Sequence, residues 1–273
     1  MPNLIYGTEI MNDKQFERFE KWFYDYVAAF YIGETLYDDN IRLKECHTRR
    51  VCRDILTLAD KLGLDEQQKL VARTTGLFHD VGRFEQYKRF NSYNDIGTIN
   101  HALLGLEILA ANKILDCLDP HEKKLIESAI GFHGDKDLPK NLDKETELFA
   151  KLIRDFDKLD IYFVMVERLD DLKKNPEKYM TTLGYPATDG YSQHIAQAVL
   201  EEKTIDYRDF KSINDMVIGI IGWLSDINFV PVLAEIKNSG HIGKFIKFLP
   251  DTADIRNIAK HAENLIEKKI KSN

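Results

Sequence analysis

With 273 residues, 44% of them hydrophobic and 30% charged, the chain has the composition of a folded globular protein, which excludes a disordered one, and it is long enough to bury a core without disulfide staples. Its net charge of −7 excludes the broad basic field by which proteins hold duplex nucleic acid, though not a local basic pocket for a small anion. Three cysteines, Cys46, Cys52 and Cys117, show no CxxC spacing and form no disulfide framework, so a reducing, cytoplasmic setting is expected, with Cys46 and Cys52 packed as small apolar groups.

The opening "MPNLIYGTEI" lacks the basic start and long apolar core of a secretory signal. A first amphipathic helix follows, with Phe16, Phe19, Phe23, Tyr26 and Val27 on one stripe and Asn12 and Gln15 as an N-cap pair. A second helix is expected from about Ile41 to Leu62, stopped by Gly63. The third is expected from near Asp65 to Gly82, which would end it and turn the chain sharply. Further helices are predicted at 99–115, 120–132 and 144–174. The Pro/Gly-containing loop "NPEKYMTTLGYPATDG" then leads to C-terminal helical segments, "YSQHIAQAVLEE", "INDMVIGIIGWLSD", "VPVLAEIKNSG" and "ADIRNIAKHAENLIEKKIK". The apolar run "MVIGIIGWL" is too short to span a bilayer and fits a buried helix. Helical periodicity dominates, so the expected fold is all-α, a single domain over 1–273 whose residues 175–273 form a C-terminal helical extension.

Of eight histidines, His121, His194, His241 and His261 have no ligand partner in register and read as exposed or capping residues. The other four lie on, or at the end of, helices with an apolar face: His47 in "KECHTRRV", His79 in "LFHDVGRFEQ", His101 in "INHALLGLEIL" and His133 in "AIGFHGD". His79 and Asp80 are neighbours, and neighbours on a helix point about 100° apart, so the two reach one ion from two angles or let the carboxylate bridge two. On the dipeptide alone, a core histidine beside a capping aspartate is the commoner case. Asp157, in "RDFDKLDIY", lies among apolar neighbours, where a carboxylate is costly unless paired or metal-bound. Gly105, one turn after His101, permits a close backbone approach. Imidazole and carboxylate donors together suit Fe, Mn, Ni, Co or Zn better than Ca or Mg.

The ordered set His47, His79-Asp80, Asp157 resembles the HD-domain superfamily of metal-dependent phosphohydrolases, which are all-α helical bundles. "HDVGRF" is similar to that family's HD-x-G-K/R segment, and "DFDKLD" to its D-A-D-x-L-D segment, whose middle aspartate falls on Asp157. "HALLGLEIL" and "IGFHGD" are similar to segments of members with two metals. The likeness covers about residues 41–165, an HD-like metal-binding core, and departs from the pattern in the single histidine at His133 and in Arg83 where many members carry lysine.

The resemblance implies hydrolysis of a nucleotide or another small phosphate ester by a metal-bound hydroxide, with a divalent transition metal, two ions, as cofactor. Asp80 would bridge the ions, His47, His79 and Asp157 would complete the first, and His101 and His133 the second. Arg83 would bind substrate phosphate through its planar fork, the plainer reading being an ion pair with Glu85. Lys158 is a weaker phosphate-binding candidate, and Asp160 would orient a ligand histidine. Two other functions share these residue types: a di-iron oxygenase of the myo-inositol oxygenase type, and a non-catalytic ligand-sensing module. The expected partner is a small phosphorylated molecule, with neither membrane nor nucleic acid duplex.

Overall fold

Asn12 begins the folded chain as a helix cap: its side chain accepts from the Gln15 backbone, and the Gln15 side chain reaches back to the Asn12 N–H, closing a capping box. The computed structural model describes residues 10–177 and 183–272, so most of the N-terminal decapeptide and the middle of the loop at 175–190 lie outside the described residues. Among the described residues the fold is all-α, with no strand. None of these helices is long and apolar enough to cross a membrane.

The chain divides into two compact units, the described residues through Phe90 with Thr98–Ile153, and Asn91–Gly97 with Arg154 onward. The first contains α1 (Asp13–Ala28), α2 (Thr35–Ala59), α3 (Glu66–Phe78), α4 (Val81–Phe90), α5 (His101–Ala111), α6 (Pro120–Phe132) and the first part of α7 (Lys144–Lys174). Helix α3 is its centre, packing on α1, α2 and α6, while α5 packs on α4 and α6. The buried stripe of α1 meets the aromatic series that follows: Phe19 lies edge-on to Phe78 at 5.7 Å, and Phe23 to Phe84 at 5.8 Å. Phe78, Phe84 and Tyr87 are core residues, and Phe90 is exposed.

Two boundaries differ from the sequence expectation. Helix α2 starts at Thr35, not near Ile41, because the Asp38 carboxylate reaches back to accept from the Ile32 and Gly33 N–H groups, each at 2.9 Å, and so anchors an earlier first turn. The expected helix from Asp65 to Gly82 is two helices, broken at His79-Asp80. Gly82 does not end a helix. It lies within α4, where a Cβ would stand 2.7 Å from the Gly105 nitrogen and closer still to the His101 carbonyl oxygen. The absence of a side chain at Gly82 therefore lets α4 seat against the start of α5.

The second unit holds the rest of α7 with α8 (Gln193–Leu200), α9 (Ile213–Gly222), α10 (Val230–Ser239), α11 (His241–Phe248) and α12 (Ala253–Lys271). Helix α9 is buried along almost its whole length, as its apolar run foretold. Two buried carboxylates tie this unit together. Asp155 accepts from the Asn228 and Phe229 backbone N–H groups at 2.8 and 2.9 Å, just ahead of α10, and Asp215 accepts from the backbone of Ser192 and Lys211 at 2.6 and 2.8 Å. Helix α11 was not expected. Its eight residues follow Gly240, at φ 66°, directly, so the chain turns and restarts a helix without any polar linker.

Candidate metal centre

His79 and His133 follow α3 and α6 at their C-terminal ends, in "GLFH" and "IGFH". The last carbonyls of a helix have no intrahelical donor. In each case one of them takes the ring: His79 Nδ1 lies 2.8 Å from the Gly76 oxygen, and His133 Nδ1 lies 2.7 Å from the Ile130 oxygen. A carbonyl only accepts, so Nδ1 carries a proton and Nε2 of each ring faces inward. This is how a structure prepares imidazole as a ligand. Gly76 also lets α3 approach α2, since a Cβ there would lie 2.7 Å from Ile55 Cδ1. His47, in the middle of α2, is brought opposite His79 by that approach. His101 opens α5 behind the Asn100 cap, placed by the Gly82–Gly105 contact.

The result is two imidazole pairs on one carboxylate. The Nε2 atoms of His47 and His79 are 3.1 Å apart, and those of His101 and His133 are 2.8 Å apart. Asp80 Oδ2 faces the first pair at 3.4 and 3.6 Å, and Oδ1 faces the second at 3.3 and 3.8 Å. All five side chains are buried. His47, His79 and Asp80 form one group that could hold a metal ion, and Asp80, His101 and His133 form another. Nitrogen ligands about 2.0–2.1 Å from one ion lie roughly 3 Å from each other, which is the spacing within each pair. So close an Nε2···Nε2 approach needs a proton on one ring or a cation between the two, and the donor set suits a first-row transition ion. The residues therefore fit the metal that the sequence reading expects.

Two cations complete the surroundings of Asp80. Lys44 Nζ is 2.6 Å from Oδ2, and Arg83 Nε is 3.4 Å from Oδ1. Burial alone would raise the Asp80 carboxyl, but Lys44, His79, His133 and Arg83 outweigh it and hold it well below the usual range. Glu85 pairs with Lys88 and Arg89, while Arg83 turns to Asp80 and donates to Gln86 Oε1 at 2.9 Å. The buried Gln86 donates onward to Thr98 Oγ1 and the Ile99 carbonyl, both at 3.0 Å, so one amide fixes Arg83 and the chain entering α5. Neither Lys44 nor Gln86 belongs to the sequence reading. The signal for Lys44 is its position three residues before His47 on the same helix face.

Asp157, Lys158 and Asp160 belong to α7 within the second unit. Asp157 is half-buried, and its carboxylate is among the groups, after burial itself, that push the Tyr207 phenol up to about 12. Lys158 is buried and forms an ion pair with Asp226, which also accepts from Arg154 Nη2 at 2.8 Å. Burial pushes the Lys158 ammonium down despite that partner. Asp160 is buried too. Among the remaining histidines, His121 is exposed and pairs with Glu145, His194 is exposed, and His241 and His261 are half-buried. The three cysteines form no disulfide.

Residues 45–162 match the family model of the HD domain. The matched stretch is therefore similar to the HD domain, an all-α fold, and it includes all four converging histidines and Asp80. No curated protein and no solved structure gives a significant match to the chain.

Proposed function

We propose that the protein is a metal-dependent phosphohydrolase acting on a nucleotide or another small phosphate ester, and that it uses two divalent transition ions. The observation that carries this reading is the division of Asp80, with one oxygen toward each imidazole pair. A carboxylate so divided could serve an ion beside each pair, the donor arrangement of a two-ion site. His47 and His79 would hold one, with Asp157 as its further ligand, and His101 and His133 the other. Bound there, the ions supply an activated water and Lewis-acid contact to phosphoryl oxygens.

The chain's own residues do the rest. The Nδ1 protons of His79 and His133, held by backbone carbonyls, keep both rings in the ligating tautomer. Arg83, steadied by Gln86, offers its planar guanidinium to the substrate phosphate. Asp160 would orient a ligand ring. Lys158 enters as a second phosphate-binding cation that must share its ammonium with Asp226. The burial of the five donors excludes bulk water and strengthens each charge interaction.

The experiment is a chelation and reloading series on a panel of nucleotides and phosphate esters. Chelated protein should be folded and inactive, and Mn, Fe, Co, Ni or Zn should restore hydrolysis. Full hydrolysis in the chelated protein would refute the reading, as would iron-dependent oxygen consumption with no phosphate release, which is the outcome expected of a di-iron oxygenase.

A further inference from the structure

Lys44 lies one residue before the stretch that matches the HD domain, and the proposed mechanism gives it no task. Its placement mirrors that of Arg83. Around Oδ2 of Asp80 stand His47, His79 and the Lys44 ammonium, and around Oδ1 stand His101, His133 and the Arg83 guanidinium. Each half of the candidate centre thus has two imidazoles, one carboxylate oxygen and one protein cation. The Lys44 and Arg83 side chains are 15% and 16% exposed, against 3% for Asp80, so both approach the carboxylate from the solvent side.

We propose that Lys44 and Arg83 are a pair of substrate-binding cations that select a terminal phosphoryl dianion, a phosphomonoester in preference to a diester. This rests on the phosphohydrolase reading and narrows its substrate class. The argument is one of oxygen count and charge. Each ion of a two-ion site can polarise one phosphoryl oxygen as a Lewis acid. A diester has only two non-bridging oxygens and a single negative charge, so the two ions use both. A monoester has a third terminal oxygen and a second negative charge, and these need a donor of their own. A cation beside each half of the centre supplies one whichever way the third oxygen turns, through a charge-assisted hydrogen bond. An ammonium on a four-carbon stem adapts to that oxygen, whereas the guanidinium fork, fixed by Gln86, holds one plane.

The test uses full-length, metal-loaded protein with Lys44→Gln and Lys44→Arg. Inorganic phosphate binding is measured by calorimetry, and hydrolysis of p-nitrophenyl phosphate is compared with that of bis-p-nitrophenyl phosphate. The expected result for Lys44→Gln is about tenfold weaker phosphate binding and a raised KM for the monoester, the loss of one charge-assisted contact. The diester rate and metal content should stay unchanged, and Lys44→Arg should recover most of the phosphate affinity. Unchanged phosphate affinity in Lys44→Gln overturns the inference, as does an equal loss on both esters. Loss of metal from Lys44→Gln overturns it too, since Lys44 would then act on the centre and not on substrate. Wild-type protein that hydrolyses neither ester nor any nucleotide refutes the phosphohydrolase reading itself, and the phosphate titration still decides whether Lys44 binds the anion.

Discussion

Asp80 faces both imidazole pairs, one oxygen to each, and that single side chain concentrates the chemistry at the residue scale. Arg83 holds the edge of the same carboxylate and is not among the donors that could hold an ion. Arg83→Ala should therefore lower kcat/KM for a phosphomonoester by roughly 10- to 100-fold, the loss of one or two charge-assisted contacts, while metal content stays at the wild-type level. Metal analysis beside steady-state kinetics checks this, and wild-type values in both would make Arg83 a surface residue. Asp155 gives a prediction of a different kind. Burial, the largest influence, pushes its carboxyl up to about 6 despite the Asn228 and Phe229 donors. Between pH 4 and 6 the folded state then keeps a proton that the unfolded state, with an aspartate near 3.9, has lost. Its contribution to stability is thus greatest at low pH and falls as pH rises through that window. Asp155→Asn lacks this titration, so the stability of wild type relative to the variant should fall by about 2 kcal/mol from pH 4 to 7. Urea unfolding at four pH values measures it, and a pH-independent difference would contradict it. The four histidines and Asp80 were singled out in the sequence because they recur on helices with an apolar face, in an order similar to HD-domain segments, and the structure brings the five together. Lys44 was not, since a lysine on an amphipathic helix reads as solvated face, and neither was Asp226 as the partner of Lys158, 68 residues away.

Helix ends decide where those residues point. Helix α6, with Asp119 as cap and Pro120 at its start, has the bounds that its sequence predicts, because cap and proline are local signals. The break between α3 and α4 has no such signal. Glycine at position 82 suits a helix terminus as well as it suits a close helix contact, and only α5, brought alongside, distinguishes the two. Helix α11 has no local start signal either: no side chain caps it, Gly240 precedes it and Gly243 lies within its eight residues, both poor helix formers. The close contact at Gly82 has a measurable consequence. Gly82→Ala forces a methyl group onto the His101 carbonyl and the Gly105 nitrogen, both backbone atoms that cannot swing aside. It should cost about 3 kcal/mol or more and should weaken metal binding at the His101–His133 pair first. Gly105→Ala meets Val81 Cγ1 at 3.1 Å and the Gly82 nitrogen at 3.3 Å, both longer than the contacts a methyl at Gly82 would make with those two atoms, and should cost less. Thermal unfolding of the two variants tests the order, and equal costs would show that the backbone contact does not position α5.

At the scale of the whole molecule the chain is two compact helical units, and the five converging donors all belong to the first. The all-α class was legible from periodicity throughout. The division was not, because it falls at Ile153 inside α7, a continuous helix with no proline, glycine or linker there. Binding of ions to the folded state alone should also stabilise the protein, by roughly 4 kcal/mol at a thousandfold excess over Kd, so chelation should lower the melting temperature as well as abolish hydrolysis. The most direct test of the central claim is metal stoichiometry by elemental analysis of the purified, reloaded protein and four variants. Wild type should hold two equivalents. His47→Ala, His79→Ala and His101→Ala should each hold about one, while Asp80→Ala should lose most of the metal. A folded wild-type protein that takes up a single equivalent, unaffected by His101→Ala, would contradict two ions sharing Asp80, and one that takes up none would contradict a metal centre altogether.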